Sequence, residues 1–430
     1  MPNGVREPCR SDRLLAYQAR FGLSNRLLEV QTALRVAQLS NRTLLLPALL
    51  AGIQWDDAFD VSGLMSRHCV VHEGKRAPSA ALRAVALKLP GEHSKMRSFL
   101  GLPIHELTIS GAGDDGMDTR GLAAHMAREH ADEPLVVLLS TLHVLRERSA
   151  ACESARVRPH CTRPGVGFWT PPPPFVKRFW RSLVLPSAAV ARRVRRITRT
   201  QGRFVGVHMR NADGSCPTRV QVWYGGMRLH PPRPKCGKVK GCTSLDTSCC
   251  DFTLVPQPGG SRFSAALLRE VAANCEEQLA DAALVSSLAS RSGLTRVYVG
   301  ADGQRPDLER QLLASLRAKG LQPHNTSQPR PSSHVWSSRY ARAGRAAADR
   351  WRLSDLEDGL VDMFVLADAE VFVANPASSY SGCVRDIRAA RGRPLASTQV
   401  GIPPHDARSW REVLERGRTS PRSWAVQPLF

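Results

Sequence analysis

The sequence has no uninterrupted apolar run approaching the ~18 residues that cross a bilayer, so no transmembrane segment is expected in this chain. Its start, MPNGVREPCRSDR, is polar and offers no apolar leader core. That gives a conditional address: the cytoplasm if this start is genuine, the lumen of the endoplasmic reticulum or Golgi if the start is truncated. Aromatic residues are scarce at 6%, and the densest basic run, AVARRVRRITRTQGR (189–203), contains none. A nucleic-acid platform interleaves stacking rings with its cations, so nucleic acid is not an expected partner. Carboxylates are also short in supply, 38 against 60 lysines and arginines, and the resulting charge of +22 favours anionic ligands. No Walker lysine loop is present, and neither an ATP nor a dinucleotide site is expected. No Asp-x-Asp pair occurs to bridge a diphosphate to a metal, so no metal and no other cofactor is expected. Eleven cysteines are many, yet the five at Cys216, Cys236, Cys242, Cys249 and Cys250 form no C-x-x-C pair, which argues against zinc. Disulfides stapling a long loop fit them better and imply an oxidising compartment.

What is present reads as an α/β protein. A length of 430 residues predicts two domains of roughly 150–200 residues each. The sharpest composition break is FWTPPPPFVKRFW (168–180), a stiff connector because four prolines fit neither a helix nor a central strand. The expected division is therefore 1–178, 179–400 and a tail over 401–430.

In the first part, a strand-like stretch from Tyr17 to Gly22 leads into a helix capped by Ser24, with Leu27, Val30, Leu34 and Ala37 on one face. Strands are expected at 43–46 and 135–139. The second part opens with a helix over 180–199 and repeats a strand-then-helix pattern. Strands are expected at 203–207, 296–299 and 371–373, and helices at about 262–290, 306–319, 353–369 and from Ser378 or Ser379 to Ala390. Strands separated by helices imply a parallel sheet.

Ligands bind outside the carboxyl ends of the strands in such sheets. Three strand ends carry suitable groups: His208, Arg210 and Asn211 at the first, Asp302 at the second, and Asn375, Ser378, Ser379 and Ser381 at the third. Asn-Pro-Ala-Ser-Ser-Tyr-Ser opens a helix whose backbone N–H groups can cradle phosphate. Arginine suits a diphosphate by charge and bidentate geometry. An aspartate can accept from ribose hydroxyls or from the N–H edge of guanine. Together these describe a nucleoside-diphosphate site.

Four segments then carry a resemblance to the GDP-fucose protein O-fucosyltransferase family. FGLSNRLLEVQTALRVAQLSNRTLLLP (21–47) resembles its glycine turn, long helix and following strand. FVGVHMRNADGSC (204–216) resembles its His-x-Arg strand end. RVYVGAD (296–302) and VDMFVLADAEVFVANPASSYSGCVRDIRAARGRP (361–394) resemble its aspartate-ended strand and its N-x-x-S-S-F helix start. The resemblance implies a GT-B fold, two Rossmann-like domains with parallel sheets facing across a cleft, the C-terminal one binding GDP-fucose. It implies that Arg210 neutralises the leaving diphosphate, with Asn25 facing the donor sugar as a second catalytic residue. His208 and Asp302 would contact the nucleoside, and Ser379, Tyr380 and Ser381 the phosphates, with Asn211 and Ser378 beside them. The implied reaction inverts the fucose anomer without metal and places fucose on Ser/Thr of a folded, small disulfide-rich acceptor. A glycan-directed fucosyltransferase and a non-catalytic GDP-sugar-binding relative are the alternatives. Two departures stand out. The N-terminal turn offers no glutamate as general base, Glu29 being expected as a solvated helix carboxylate, and Tyr380 replaces the usual phenylalanine.

Overall fold

The computed structural model describes residues 12–18, 23–49, 53–72, 84–88, 98–99, 102–109, 119–139, 172, 174–209, 227–236, 250–256, 282–301, 306–325, 353–374 and 378–400. Tertiary contacts divide the chain into two units between Ala188 and Ala189.

The strands of the first unit are β1 (Leu14–Tyr17), β2 (Thr43–Leu46), β3 (Phe59–Asp60), β4 (Val70–His72), β5 (Ala84–Lys88), β6 (Ser98–Phe99), β7 (Leu102–Thr108), β8 (Leu135–Leu138) and β9 (Leu185–Pro186). Seven of them form one sheet in the order β4-β2-β1-β8-β5-β7-β6. All its pairings are parallel except β6 with β7. The central strands read LLAY, TLLL and LVVL and are buried at every residue. Such continuous apolar runs are what a parallel sheet needs, because both of its faces are covered.

The helix Leu23–Leu39 joins β1 to β2 and buries Leu27, Val30, Leu34 and Ala37 as the periodicity predicts. Ser24 is not its cap, since Leu23 is already helical. Two further expectations shift. The strand placed at 17–22 is β1, which ends at Tyr17, and 19–22 lie outside the described residues. The helix placed over 180–199 runs Ala188–Gln201, because Leu185 and Pro186 pair with β3 as β9 and Pro186 cannot continue a helix from upstream.

The second unit contains β10 (Val205–Met209), β11 (Met227–Cys236), β12 (Cys250–Pro256), β13 (Arg296–Ala301), β14 (Gln322–His324), β15 (Val371–Ala374) and β16 (Thr398–Val400). Its sheet has the order β14-β13-β10-β15-β16 and is parallel throughout. Counted along the strands of this sheet alone, that order is 3-2-1-4-5, the doubly wound pattern, and it reverses direction between β10 and β15. β11 and β12 form a separate antiparallel pair in which Cys236 stands opposite Cys250. The other loop cysteines, Cys216, Cys242 and Cys249, lie outside the described residues. In the first unit, Cys69 is disulfide-bonded. Of the helix expected over 262–290, the described part is Ala282–Arg291.

Alternation along β10 sorts its side chains. Val205, Val207 and Met209 join the core that Val285, Leu288, Leu312 and Leu316 build from the helices Ala282–Arg291 and Pro306–Ala318. Gly206 and His208 therefore face the opposite layer. There the helix Leu353–Asp368 lies close: a Cβ on Gly206 would sit 2.8 Å from the Ala369 Cβ and 3.0 Å from Leu366 Cδ2. A Cβ on Gly300 of β13 would sit 2.9 Å from Leu366 Cδ1. These glycines let a helix press directly onto the strands.

Two buried arginines spend their guanidinium donors on backbone carbonyls. Arg42 donates to the carbonyls of Leu14 (3.2 Å), Glu133 (2.8 Å) and His130. Arg388, 1% exposed, donates to the carbonyls of Ala367, Ala369, Glu370 and Ser397 and lies over the Phe372 ring. Burial, reinforced by Arg393, lowers its pKa to about 10. The charge persists at neutral pH and holds the carbonyls at the end of Leu353–Asp368, where a cation is favoured.

Candidate functional site

The reversal point of the second sheet gathers a compact polar cluster. β10 is longer at its carboxyl end than the alternation of Phe204–Val207 suggested, so His208 sits inside the strand, in register with Gly300. The neighbouring β15 ends at Ala374, and the helix Ser379–Ala390 begins five residues later. Ser378 is its N-cap, with extended backbone (φ −106°, ψ 122°) and a carbonyl that accepts the first helical bond from Gly382 at 3.0 Å. Its side chain makes no capping hydrogen bond. The first-turn N–H groups thus stay unclaimed by Ser378 Oγ, at the end of a helix that favours an anion.

That helix start closes on His208. The imidazole Nδ1 and Ser381 Oγ are 2.6 Å apart, with His208 8% and Ser381 0% exposed. The Tyr380 ring packs on the His208 ring at 4.6 Å between centroids and 31° between planes. Tyr380 in turn donates its hydroxyl to the Gly359 carbonyl at 2.8 Å, tying the Ser379–Ala390 helix to Leu353–Asp368. The Tyr380 hydroxyl therefore adds a helix-to-helix bond while the ring stays on His208. The Ser381 hydroxyl is engaged by His208.

One feature of this layer was not anticipated. Tyr298 on β13 is fully buried and donates its hydroxyl to Asp362 Oδ1 at 2.5 Å, and Asp362 is 3% exposed. Tyr298 is the register partner of Gly206, and Asp362 Cβ lies 3.5 Å from a Cβ built on Gly300. The pair braces the same helix against the same strands that carry His208. A tyrosine inside an apolar strand, and an aspartate alone within GLVDMFVLA, are the signals that could have found it, because a buried hydroxyl needs a partner.

The sequence-predicted residues divide as follows. His208, Tyr380 and Ser381 are brought into contact, with Ser378 at the cap of the same helix and Ser379 its first residue. Arg210, Asn211, Asp302 and Asn375 lie outside the described residues. Asn25 belongs to the first unit, where it is 7% exposed with its Oδ1 buried and without a hydrogen-bond partner among the described residues. Glu29, expected to be a solvated helix carboxylate, is instead 0% exposed. It lies one turn beyond Asn25 on the inward face of Leu23–Leu39, where helical spacing puts i and i+4 side by side. The bare spacing G-x-G-x-x-G does occur in the sequence, as Gly111-Ala112-Gly113-Asp114-Asp115-Gly116. The segment falls outside the described residues.

No protein-family model matches the sequence, and no curated protein matches it. Solved structures do. The apo form of POFUT1 matches with a TM-score of 0.53 and 14% identity, over 92% of this chain and 99% of that one. POFUT1 in complex with GDP-fucose matches with a TM-score of 0.52 and 14% identity, over 91% and 99%. A POFUT1 complex with GDP gives 0.51 and 15%, over 91% and 98%. The likeness shows the fold: α/β of the GT-B type, with two Rossmann-like units.

Proposed function

We propose that this chain transfers fucose from GDP-fucose to serine or threonine hydroxyls of a folded, small disulfide-rich protein. The observation that carries the reading is the His208–Ser381–Tyr380 cluster at the reversal point of a doubly wound sheet, beside a helix N-terminus. That is where such sheets bind nucleotides, and the fold is shared with POFUT1, which has been solved with GDP-fucose bound. On this reading residues 179–400 hold the donor and 1–178 serve the acceptor. The N–H groups from Ser379 to Ser381 hold the diphosphate, with Ser378 at their cap and Asn211 beside them. His208 and Asp302 contact the nucleoside, and Asn25 faces the sugar.

The chemistry then follows from charge. The bond between fucose C1 and the β-phosphate oxygen breaks, and the electron pair leaves with GDP. The acceptor oxygen attacks C1 from the opposite face, inverting it, and its proton passes to water. Arg210, the residue following β10, meets the growing negative charge with a planar guanidinium that stays protonated. It fills the role a divalent metal has in other diphosphate sites. A lumenal address belongs to this reading, supported by the disulfide at Cys69 and by the exposed Asn41 of the Asn41-Arg42-Thr43 sequon.

The test is release of GDP from GDP-fucose, with and without a panel of folded acceptor domains, in the presence of chelator. Arg210→Ala is expected to lose ~10²–10³ in turnover, and Arg210→Lys, which keeps the charge but not the fork, to fail as well. A folded Arg210→Ala protein with near-normal turnover overturns the reading.

A further inference from the structure

The helix Ala188–Gln201 carries five arginines and no carboxylate, and the donor site uses none of them. Among the described residues, Arg193 is the one of the five that is ion-paired, with Asp358 and, at 3.7 Å, with Glu357. Arg192, Arg195, Arg196 and Arg199 are exposed and make no side-chain hydrogen bond or ion pair among the described residues. Their spacing is i, i+3, i+4, i+7, so they share one face over about 10 Å of helix, within an arc of roughly 100°. Like charges at these spacings repel by a few tenths of a kcal/mol per pair. The helix is held in spite of that. Val190 and Val194 are buried beneath it, Gly202 ends it with φ 61°, and Arg296 donates to the Thr200 and Gln201 carbonyls at 3.0 and 2.9 Å.

The surroundings narrow the occupant. Among the described residues, the carboxylates that reach this helix, Glu357 and Asp358, are engaged by Arg193, and Glu370 is engaged by Arg203 just beyond its end. Paired carboxylates therefore border the basic face where the helix Leu353–Asp368 meets it. A flat anionic membrane would press those borders as well as the track. The helix carries no aromatic ring to stack on bases. A single extended chain bearing closely spaced anions can lie along the track and meet each guanidinium by a bidentate bond. We propose that this face binds a linear sulfated polysaccharide.

The test is binding of the full chain to heparin across a salt series. The variant is Arg195→Glu with Arg199→Glu. The control makes the same charge change at Arg310 and Arg317, both exposed on the helix Pro306–Ala318. The track variant is expected to lose at least ~10-fold in affinity at moderate salt, with a flatter dependence of log affinity on log salt, since counterion release scales with the contacts made. The control is expected to stay within about twofold of the unsubstituted chain, because screening confines exposed charges to their neighbours. Circular dichroism checks that both variants fold. An equal loss in the control shows that heparin senses only net charge, and an unchanged track variant places the contact elsewhere. Tighter binding of the unsubstituted chain to duplex DNA or to phosphatidylserine vesicles than to heparin, abolished by the track variant, gives the surface to another partner. Each of these overturns the proposal.

Discussion

His208 and Ser381 are 173 residues apart in sequence and meet through a 2.6 Å hydrogen bond between Nδ1 and Oγ, both side chains buried. The bond joins the end of β10 to the first turn of the helix after β15, so it fixes the imidazole relative to the N–H groups proposed to hold phosphate. Ser381→Ala removes this bond. A net hydrogen bond of about 0.5–1.5 kcal/mol predicts a loss of roughly 2–10-fold in GDP affinity, read by calorimetry. Unchanged affinity would mean that the bond serves packing alone.

Tyr380→Phe separates the two roles of that ring. The contact on His208 is retained and the bond to the Gly359 carbonyl is lost. Stability is expected to fall by about 1 kcal/mol, with GDP affinity kept. A large loss of affinity in a protein of normal stability would assign the hydroxyl to the ligand instead.

Gly206 and Gly300 offer a test of the layer beneath the site. Alanine at 206 meets the Ala369 Cβ at 2.8 Å, a group that cannot rotate away, whereas alanine at 300 meets the end of the Leu366 side chain. Gly206→Ala is expected to cost about 1–3 kcal/mol, as overpacking does, and Gly300→Ala less. Denaturant unfolding of the two variants decides the order, and a reversed order would show that the helix shifts freely.

The first unit should be acid-sensitive through His130. Burial, then the neighbouring His125 and Arg42, holds its imidazole below the ordinary value, and Glu133 and Glu129 oppose this only in part. The neutral form is favoured in the folded state. As pH falls through the unfolded value of about 6.5, the unfolded chain takes up a proton that the folded one does not, and stability declines until the folded value is passed. Melting between pH 8 and 5 should show this loss, and His130→Gln should reduce it. Identical pH profiles would remove His130 from the cause.

The antiparallel register places Cys236 directly opposite Cys250. Opposed residues in such a ladder have Cα atoms about 4.5–5.5 Å apart, within the range a disulfide spans. Non-reducing peptide mapping of protein made through a secretory route is expected to find these two joined. Finding both as free thiols would also weaken the lumenal address.

Much of this was legible in the sequence, for physical reasons. Parallel strands buried on both faces write themselves as runs such as LLAY and VYVGA, and helices as the Leu27–Val30–Leu34–Ala37 spacing. The same periodicity could place polar residues only at strand ends, one element at a time. That Ser381 turns to His208, that Asp362 turns to Tyr298 and that Glu29 turns inward depends on partners distant in sequence or on which helix face is covered. Helix starts were the weakest expectation. Ser24 looked like a cap from local chemistry, and Pro186 moved another start because a tertiary pairing claimed the residues before it.

The most direct test of the donor site is calorimetric titration of GDP, and of UDP for comparison, into the chelator-treated protein and into His208→Ala. GDP is expected to bind without metal, UDP far more weakly, and the substitution to weaken GDP binding while the protein stays folded. At ~100 times its dissociation constant GDP should also stabilise the fold by roughly 2.7 kcal/mol. Equal binding of UDP, an absolute need for Mn²⁺, or full GDP affinity in His208→Ala would contradict a guanosine diphosphate site at the end of β10.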